Sequence, residues 1–297
     1  MKLFFTNILL LPYFKFLTAT FLFVMGITFF ACQQPPPSCN DLEVKHYIHL
    51  GHTRIFDTIN QVIDPRIEKI NIDPFDMVLL GGDLCEETSK RYDILEYIDG
   101  LFDVKNPNTL WAIGNHDDAN LNDLNKITGR PTFYSYHKNN ITFVVLYSVI
   151  PIDGKQIELL KSVTDTISES SHLIVMTHNL LWLAAHPEMA DHRGEKKFDW
   201  SCNYRASDRG WKYHVLPLLR KVMKKDIQVI ALAGDIGNNK RVFEERTKDG
   251  IYYLASGNNP KNKDARFLHF KHHVRSGLLS WKFEHLEDFL KNKQQID

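Results

Sequence analysis

Along this chain, short apolar runs repeatedly break off into small, polar or charged residues. Val44 to Leu50 ends in Gly51-His52-Thr53-Arg54, Phe75 to Leu80 in Gly81-Gly82-Asp83-Leu84, and Thr109 to Ile113 in Gly114-Asn115-His116-Asp117. His172 to Thr177 is followed by His178, and Ile227 to Ala233 by Gly234-Asp235-Ile236-Gly237. A continuous apolar run closed by a turn predicts a strand buried on both faces. The intervening stretches change period. Tyr92, Leu95 and Ile98 recur on one face and predict a helix over Thr88 to Leu101. Asp64-Pro65 reads as a helix start, with Asp as cap and Pro just inside. Further helices are expected over Asn120 to Ile127, Gly154 to Glu169 and Gly210 to Lys225. Thr132 to His137 and Ile141 to Val149 alternate like an antiparallel pair joined by Lys138-Asn139-Asn140. Late strands are expected around Arg241 to Glu244, Gly250 to Ala255, Arg266 to Phe270 and Gly277 to Phe283, and Glu284 to Asp297 reads as a solvated helix or frayed tail. Strand and helix alternate first and strands dominate later, which predicts one α/β domain over residues 44–284, its sheets covered by helices.

Two segments fall outside this rhythm. Leu181 to Trp211 is long, polar and without a clear period, as functional loops and caps often are. Its basic residues, Arg193 and Arg205 among them, are candidates for recognising an anionic substrate, and Trp200 and Trp211 for packing on an apolar or sugar group. At the other extreme, Lys2 and Lys15 flank an apolar stretch, and Phe16 to Ala31 is uncharged and ends Phe29-Phe30-Ala31-Cys32. A basic start, an apolar core and a small residue describe an export signal. Cys32 resembles the lipidated cysteine of bacterial lipoproteins, with Phe29 where Leu is usual. An uncleaved anchor, with Lys15 snorkelling, and simple secretion are the alternatives. All three place the domain outside the cytoplasm or at a membrane. Residues 32–43, with three consecutive prolines, read as a tether.

Composition narrows the partners. The 297 residues are 43% hydrophobic and 24% charged with a formal net charge of zero, enough for a large core but without the basic field that a nucleic-acid backbone rewards. Cys32, Cys39, Cys85 and Cys202 show no zinc-ribbon spacing, and with Cys32 acylated an odd number of thiols remains, which argues against a disulfide-built fold. No Gly-x-Ser-x-Gly elbow, P-loop or dinucleotide fingerprint is present.

What remains is the chemistry of the strand tips. His52 and Arg54, Asp83, Asn115 with His116 and Asp117, His178, and Asp235 all fall where a sheet presents its ends. Carboxylate, amide oxygen and imidazole together suit Mn, Fe or Zn better than Ca or Mg. A metal there lowers the pKa of a bound water and neutralises a phosphoryl oxygen. His116 then protonates a leaving alkoxide, with Asp117 orienting its imidazole.

In order and type these tips resemble the calcineurin-like metallophosphoesterase family. Its hallmarks are a first strand ending Asp-x-His, then Gly-Asp, then Gly-Asn-His-Asp or Glu, then a lone His, then Gly-His-x-His. Gly82-Asp83 and Gly114-Asn115-His116-Asp117 match fully, and His178 takes the place of the lone His. The resemblance covers residues 44–284. It implies a four-layer sandwich, two mixed β-sheets flanked by helices, with a two-metal site at the sheet edges. Asp83 would bridge the metals; Asn115, His178 and Asp235 would complete the second; His116 would assist the leaving group. Two hallmarks depart, becoming His52-Thr53-Arg54 and Gly234-Asp235-Ile236-Gly237. His52 and Asp235 can still donate, but Arg54 has no lone pair and Gly237 no side chain. The first metal position therefore keeps only His52 and Asp83.

Three accounts stand open at this point. One metal works alone, with Arg54 supplying the missing charge; or His49, His186 or His192 refills the first position; or the fold persists as a non-catalytic surface-binding lipoprotein. The expected substrate is a small phosphorylated compound, and mono- and diesters are not distinguished.

Overall fold

The computed structural model describes residues 43–152, 154–192, 209–236, 242–258 and 264–292. The signal, lipid and tether expectations, Cys39, Cys202, Arg193, Arg205, Trp200 and Gly237 lie outside that set. Among the described residues no helix is long and apolar enough to cross a membrane.

Two sheets carry the architecture. The first comprises β1 (Val44–Leu50), β2 (Met77–Leu80), β3 (Thr109–Trp111), β10 (Arg266–His273) and β11 (Leu278–His285), in the order β11-β10-β1-β2-β3. The second comprises β4 (Tyr134–Lys138), β5 (Ile141–Val145), β6 (His172–Thr177), β7 (Gln228–Ala233), β8 (Val242–Arg246) and β9 (Tyr252–Ser256), in the order β4-β5-β6-β7-β9-β8. β1, β2 and β3 run parallel, as do β5, β6, β7 and β9, while β4, β8, β10 and β11 pair antiparallel at the flanks. Both sheets are therefore mixed. The parallel strands are the continuous apolar runs of the sequence because both of their faces are covered.

Side-chain parity sorts the core into layers. Tyr47, Leu79, Phe143, Ile174, Met176 and Leu232 meet between the sheets. Ile48, Leu50, Val78 and Leu80 face outward against α1 (Tyr92–Phe102), α2 (Leu121–Thr128) and α6 (Leu286–Lys291). Leu173, Val175, Val229 and Ala231 face outward against α3 (Gly154–Thr166), the single turn α4 (Trp182–Ala185) and α5 (Leu216–Met223). Helix, sheet, sheet and helix form the four layers expected.

Several local expectations shift. The Asp64-Pro65 start yields only a turn, in which Asp64 Oδ1 accepts from Arg66 N at 2.9 Å and the Arg66 side chain folds back onto the same carboxylate. The helix expected from Thr88 begins at Tyr92, since Thr88 is held elsewhere, and its buried face is Ile94, Leu95, Ile98 and Phe102, with Tyr92 exposed. Trp211 opens a π-helical turn before α5. The tail is partly core, because Leu286 is fully buried and the Phe289 ring lies 4.9 Å from that of Phe267.

Candidate active site

The C-terminal ends of β1, β2, β3, β6 and β7 meet at one edge, and they meet backbone to backbone. A Cβ on Gly234 would lie 2.2 Å from the Gly81 carbonyl oxygen, and one on Gly114 would lie 2.2 Å from Asp83 Oδ1. Only glycine allows that approach. Two side-chain-bearing residues then take left-handed backbone to aim inward, His52 at φ 49 and Asp83 at φ 54. Such conformations cost a non-glycine residue energy and persist where neighbours enforce them. Here His52 N donates to Gly82 O at 2.9 Å and Arg54 N to Asp83 O at 3.2 Å.

Asp83 is the hub. His178 Nε2 lies 3.3 Å from Asp83 Oδ1 and 4.0 Å from Asp235 Oδ1, while His52 Nε2 lies 3.8 Å from Asp83 Oδ2. Arg54 Nε is 3.5 Å from the same Oδ2, and His116 N donates to Oδ1 at 3.0 Å. Burial opposes the Asp83 carboxylate, but the charges of His178 and His52 outweigh it and hold its pKa well below the usual range. Burial likewise opposes charge on His178, yet Asp83 and Asp235 raise it to about 10. At His52 burial wins and the pKa falls, despite Asp83 and Asp235.

His178 Nδ1 lies 2.8 Å from Gly81 O, so Nδ1 carries a proton and donates it there. Its Nε2 is buried and faces the Asp83 and Asp235 carboxylates. Around it stand two supports that sequence reading missed, both short polar residues in loops without a period. Ser148 Oγ accepts from His178 N at 3.1 Å, and Asn179 Nδ2 donates to Asp235 Oδ2 at 3.0 Å.

His116 and Asp117, expected as a pair, are separated by the turn that carries them. Asp117 N donates to Gly114 O at 3.1 Å and the Asp117 carboxylate turns inward. There it accepts from Asp83 N at 2.7 Å, Leu84 N at 2.9 Å, Gly114 N at 2.9 Å, Thr88 Oγ1 at 2.5 Å and Trp111 Nε1 at 3.3 Å. Burial and the Asp83 charge push its pKa up, while the Thr88, Gly114 and Leu84 donors pull against them. Asp117 braces the tip loops and does not orient His116.

That task falls to Glu86. His116 Nδ1 donates to Glu86 O at 2.7 Å, and the Glu86 carboxylate lies 3.7 Å from the same nitrogen. The other Glu86 oxygen pairs with Arg54 Nη1. Arg54 is thus enclosed by Asp83 and Glu86, with its guanidinium carbon 4.7 Å from the Phe56 ring centroid, and its side chain is only 9% exposed. Glu86 left no sequence signal beyond an acid three residues after Asp83.

The remaining candidates divide. Asn115 is exposed at the β3 tip. His49 does not refill the first position: it packs between the sheets with Nδ1 2.8 Å from Ser256 Oγ, and burial lowers its pKa to about 3. His186 is buried on the far face of the second sheet, 5.5 Å from the Tyr253 ring and 4.0 Å from Asp249. The side chain of His192 is outside the described residues. Trp211 is not a substrate platform but core, fully buried with its ring centroid 5.7 Å from Trp182.

Among the described residues no group of three His, Cys, Asp or Glu side chains is arranged to hold a metal ion as it stands. The donors are spread over both edges of Asp83, with His178 on one oxygen and His52 on the other. Carboxylate and imidazole are nonetheless the donor types that a divalent transition ion takes. Ligand atoms about 2.0–2.1 Å from a tetrahedral metal are about 3.4 Å from one another; His178 lies 3.3 Å from Asp83 and 4.0 Å from Asp235, and His52 lies 3.8 Å from Asp83. His178 Nε2, which shares a proton with the two carboxylates, is the atom that such an ion would take in the proton's place.

No protein-family model matches the chain, and no curated protein matches it. Solved structures do. A dimetal phosphatase from Danio rerio superposes with a TM-score of 0.51 at 10% identity, covering 82% of this chain and 96% of that one. A 5'-nucleotidase precursor from Thermus thermophilus gives 0.41 at 12% identity over 82% of this chain and 54% of that one. Vacuolar Protein Sorting 29 from Cryptosporidium parvum gives 0.38 at 11% identity over 81% and 97%. The first of these likenesses establishes a fold shared with that phosphatase, the four-layer sandwich of two mixed sheets flanked by helices.

Proposed function

We propose that this protein hydrolyses a small phosphorylated substrate with one divalent transition ion, Mn, Fe or Zn, held by Asp83, His178 and Asp235 with His52 and Asn115 beside them. The observation that carries this reading is His178, whose Nδ1 is committed to Gly81 O and whose buried Nε2 faces two carboxylates, Asp83 at 3.3 Å and Asp235 at 4.0 Å. A metal bound there supplies an acidified water and positive charge for a phosphoryl oxygen.

This chain's own residues do the rest. Arg54 is a cation fixed beside Asp83 and would supply there the positive charge that a second ion would otherwise bring. His116 keeps its Nδ1 proton on Glu86 O, which leaves Nε2 to hand a proton to the leaving oxygen. Its side chain is 26% exposed, open enough for solvent to reprotonate it.

One observation favours a second reading, a non-catalytic binding protein. Arg54 is closed in by Asp83, Glu86 and Phe56, which leaves little of the guanidinium for a phosphoryl group.

Elemental analysis of purified residues 33–297, after removal of loosely held ions, separates the two. One tight ion per chain is expected, lost together with phosphoesterase activity in Asp83→Ala. No ion after reloading with each metal, and no turnover across phosphomonoesters and diesters, would leave the binding reading standing.

A further inference from the structure

The loop that leaves the β1 tip rises on the same edge as the candidate site and returns to it. It departs at Arg54 and comes back at Ile63, which bridges to Arg54, and Asp64 N donates to Thr53 O at 2.9 Å. The excursion between them is built rather than loose. Asp57 Oδ1 accepts from Ile59 N and Asn60 N, both at 2.9 Å, and Asp57 Oδ2 accepts from Asn60 Nδ2 at 2.8 Å. Yet this ordered loop presents large apolar side chains to solvent: Phe56 is 62% exposed and Ile59 is 79% exposed. The Phe56 ring is also fixed against the site. Its centroid lies 4.7 Å from the Arg54 guanidinium carbon, and Arg54 Nε lies 3.5 Å from Asp83.

We propose that Phe56 is a specificity residue of this site, an apolar wall that selects phosphoesters whose leaving group is flat and aromatic, such as an aryl ring or nucleobase-bearing group. The inference rests on the phosphoesterase reading and deepens it. Arg54 holds the ring by a cation–π contact, so the aromatic surface is oriented before substrate arrives and little rotamer freedom is lost on stacking. A phosphoryl group held at Asp83 would have the Phe56 ring on the far side of Arg54, within reach of a flat ester substituent, and Ile59 is a second exposed apolar side chain on the same loop. A small alkyl leaving group is too short and too thin to stack there. Aromatic rings gain from offset or edge contacts beyond their buried area, and bases stack on aromatic side chains without needing sequence-specific hydrogen bonds.

The test uses two non-hydrolysable probes, phenylphosphonate and methylphosphonate, titrated calorimetrically into residues 33–297 in a Mn-containing buffer. Phenylphosphonate is expected to bind about ten-fold more tightly. In Phe56→Ala that preference should fall to within about two-fold, the loss lying in phenylphosphonate, while Phe56→Tyr keeps it. Absence of a preference in the unsubstituted protein, or a preference that survives Phe56→Ala, overturns the inference while leaving the phosphoesterase reading intact. Failure of both phosphonates and of inorganic phosphate to bind overturns the two together.

Discussion

Asp117 and His116 are neighbours in sequence and do different work. The Gly114 to Asp117 turn sends the imidazole outward to Glu86 and the carboxylate inward to five donors. Sequence adjacency suggested a catalytic pair, because nothing in the letters says which way a turn will point consecutive side chains. The structural role makes a distinct prediction. Asp117→Ala strands the Asp83, Leu84 and Gly114 amides in a dry interior, and each unsatisfied buried donor costs about 1–3 kcal/mol. Chemical denaturation should show a loss of at least about 3 kcal/mol. A fully stable variant that merely discriminates less between good and poor leaving groups would restore the pairing role. The proposed ligands Asp83, His178 and Asp235 stand out in the sequence because each lies at or just past the end of an apolar strand. Glu86, Ser148 and Asn179 do not, since loop residues acquire their partners only when the loops have wrapped.

At the level of the strands, the site depends on tips that touch. β7 reaches the first sheet through Gly234, whose Cα has the Gly81 carbonyl immediately beyond it. The apolar runs revealed that these strands exist, and their glycines revealed turns. That the turns must also interlock across two sheets is a property of the sandwich and has no local signature. Gly234→Ala would place its methyl 2.2 Å from Gly81 O, a backbone atom with no rotamer to yield. We expect the β2 and β7 tips to separate, costing about 1–3 kcal/mol by overpacking and weakening metal affinity at least ten-fold. Thermal melting and metal titration on the variant measure both. Unchanged affinity would mean that Asp235 and Asp83 are held independently.

For the whole molecule, histidine charge sets the pH range of stability, with two opposed signs. Burial lowers His49 to about 3 and His269 and His272 to about 4. These are bases with depressed folded pKa values, so the unfolded chain binds more protons as pH falls below about 6.5. Their contribution is complete above that value and is lost progressively toward pH 4. His178 runs the other way, raised to about 10 by Asp83 and Asp235 against its burial. Its contribution is complete below about 6.5 and fades as pH rises through 10. Metal-free protein should therefore melt highest near pH 6.5, with Tm falling on both sides. Bound metal, taking the proton's place on His178, should flatten the alkaline side alone. A melting profile indifferent to metal at pH 9 would remove His178 from the ligand set.

The strand order has a consequence for how the chain comes off the ribosome. β1 lies between β2 and β10, and β10 begins only at Arg266, more than two hundred residues later. Throughout synthesis of the intervening chain β1 has one partner and an open row of amides and carbonyls on its other side, which is a template for pairing with another molecule. Contacts this distant in sequence also form slowly. A chain cut short before Arg266 would hold every proposed ligand, from His52 to Asp235, and still leave the first of them on an unguarded strand. Aggregation, rather than partial function, is the natural fate of such a fragment, so the last hairpin works as the clasp that lets the first strand be safely used.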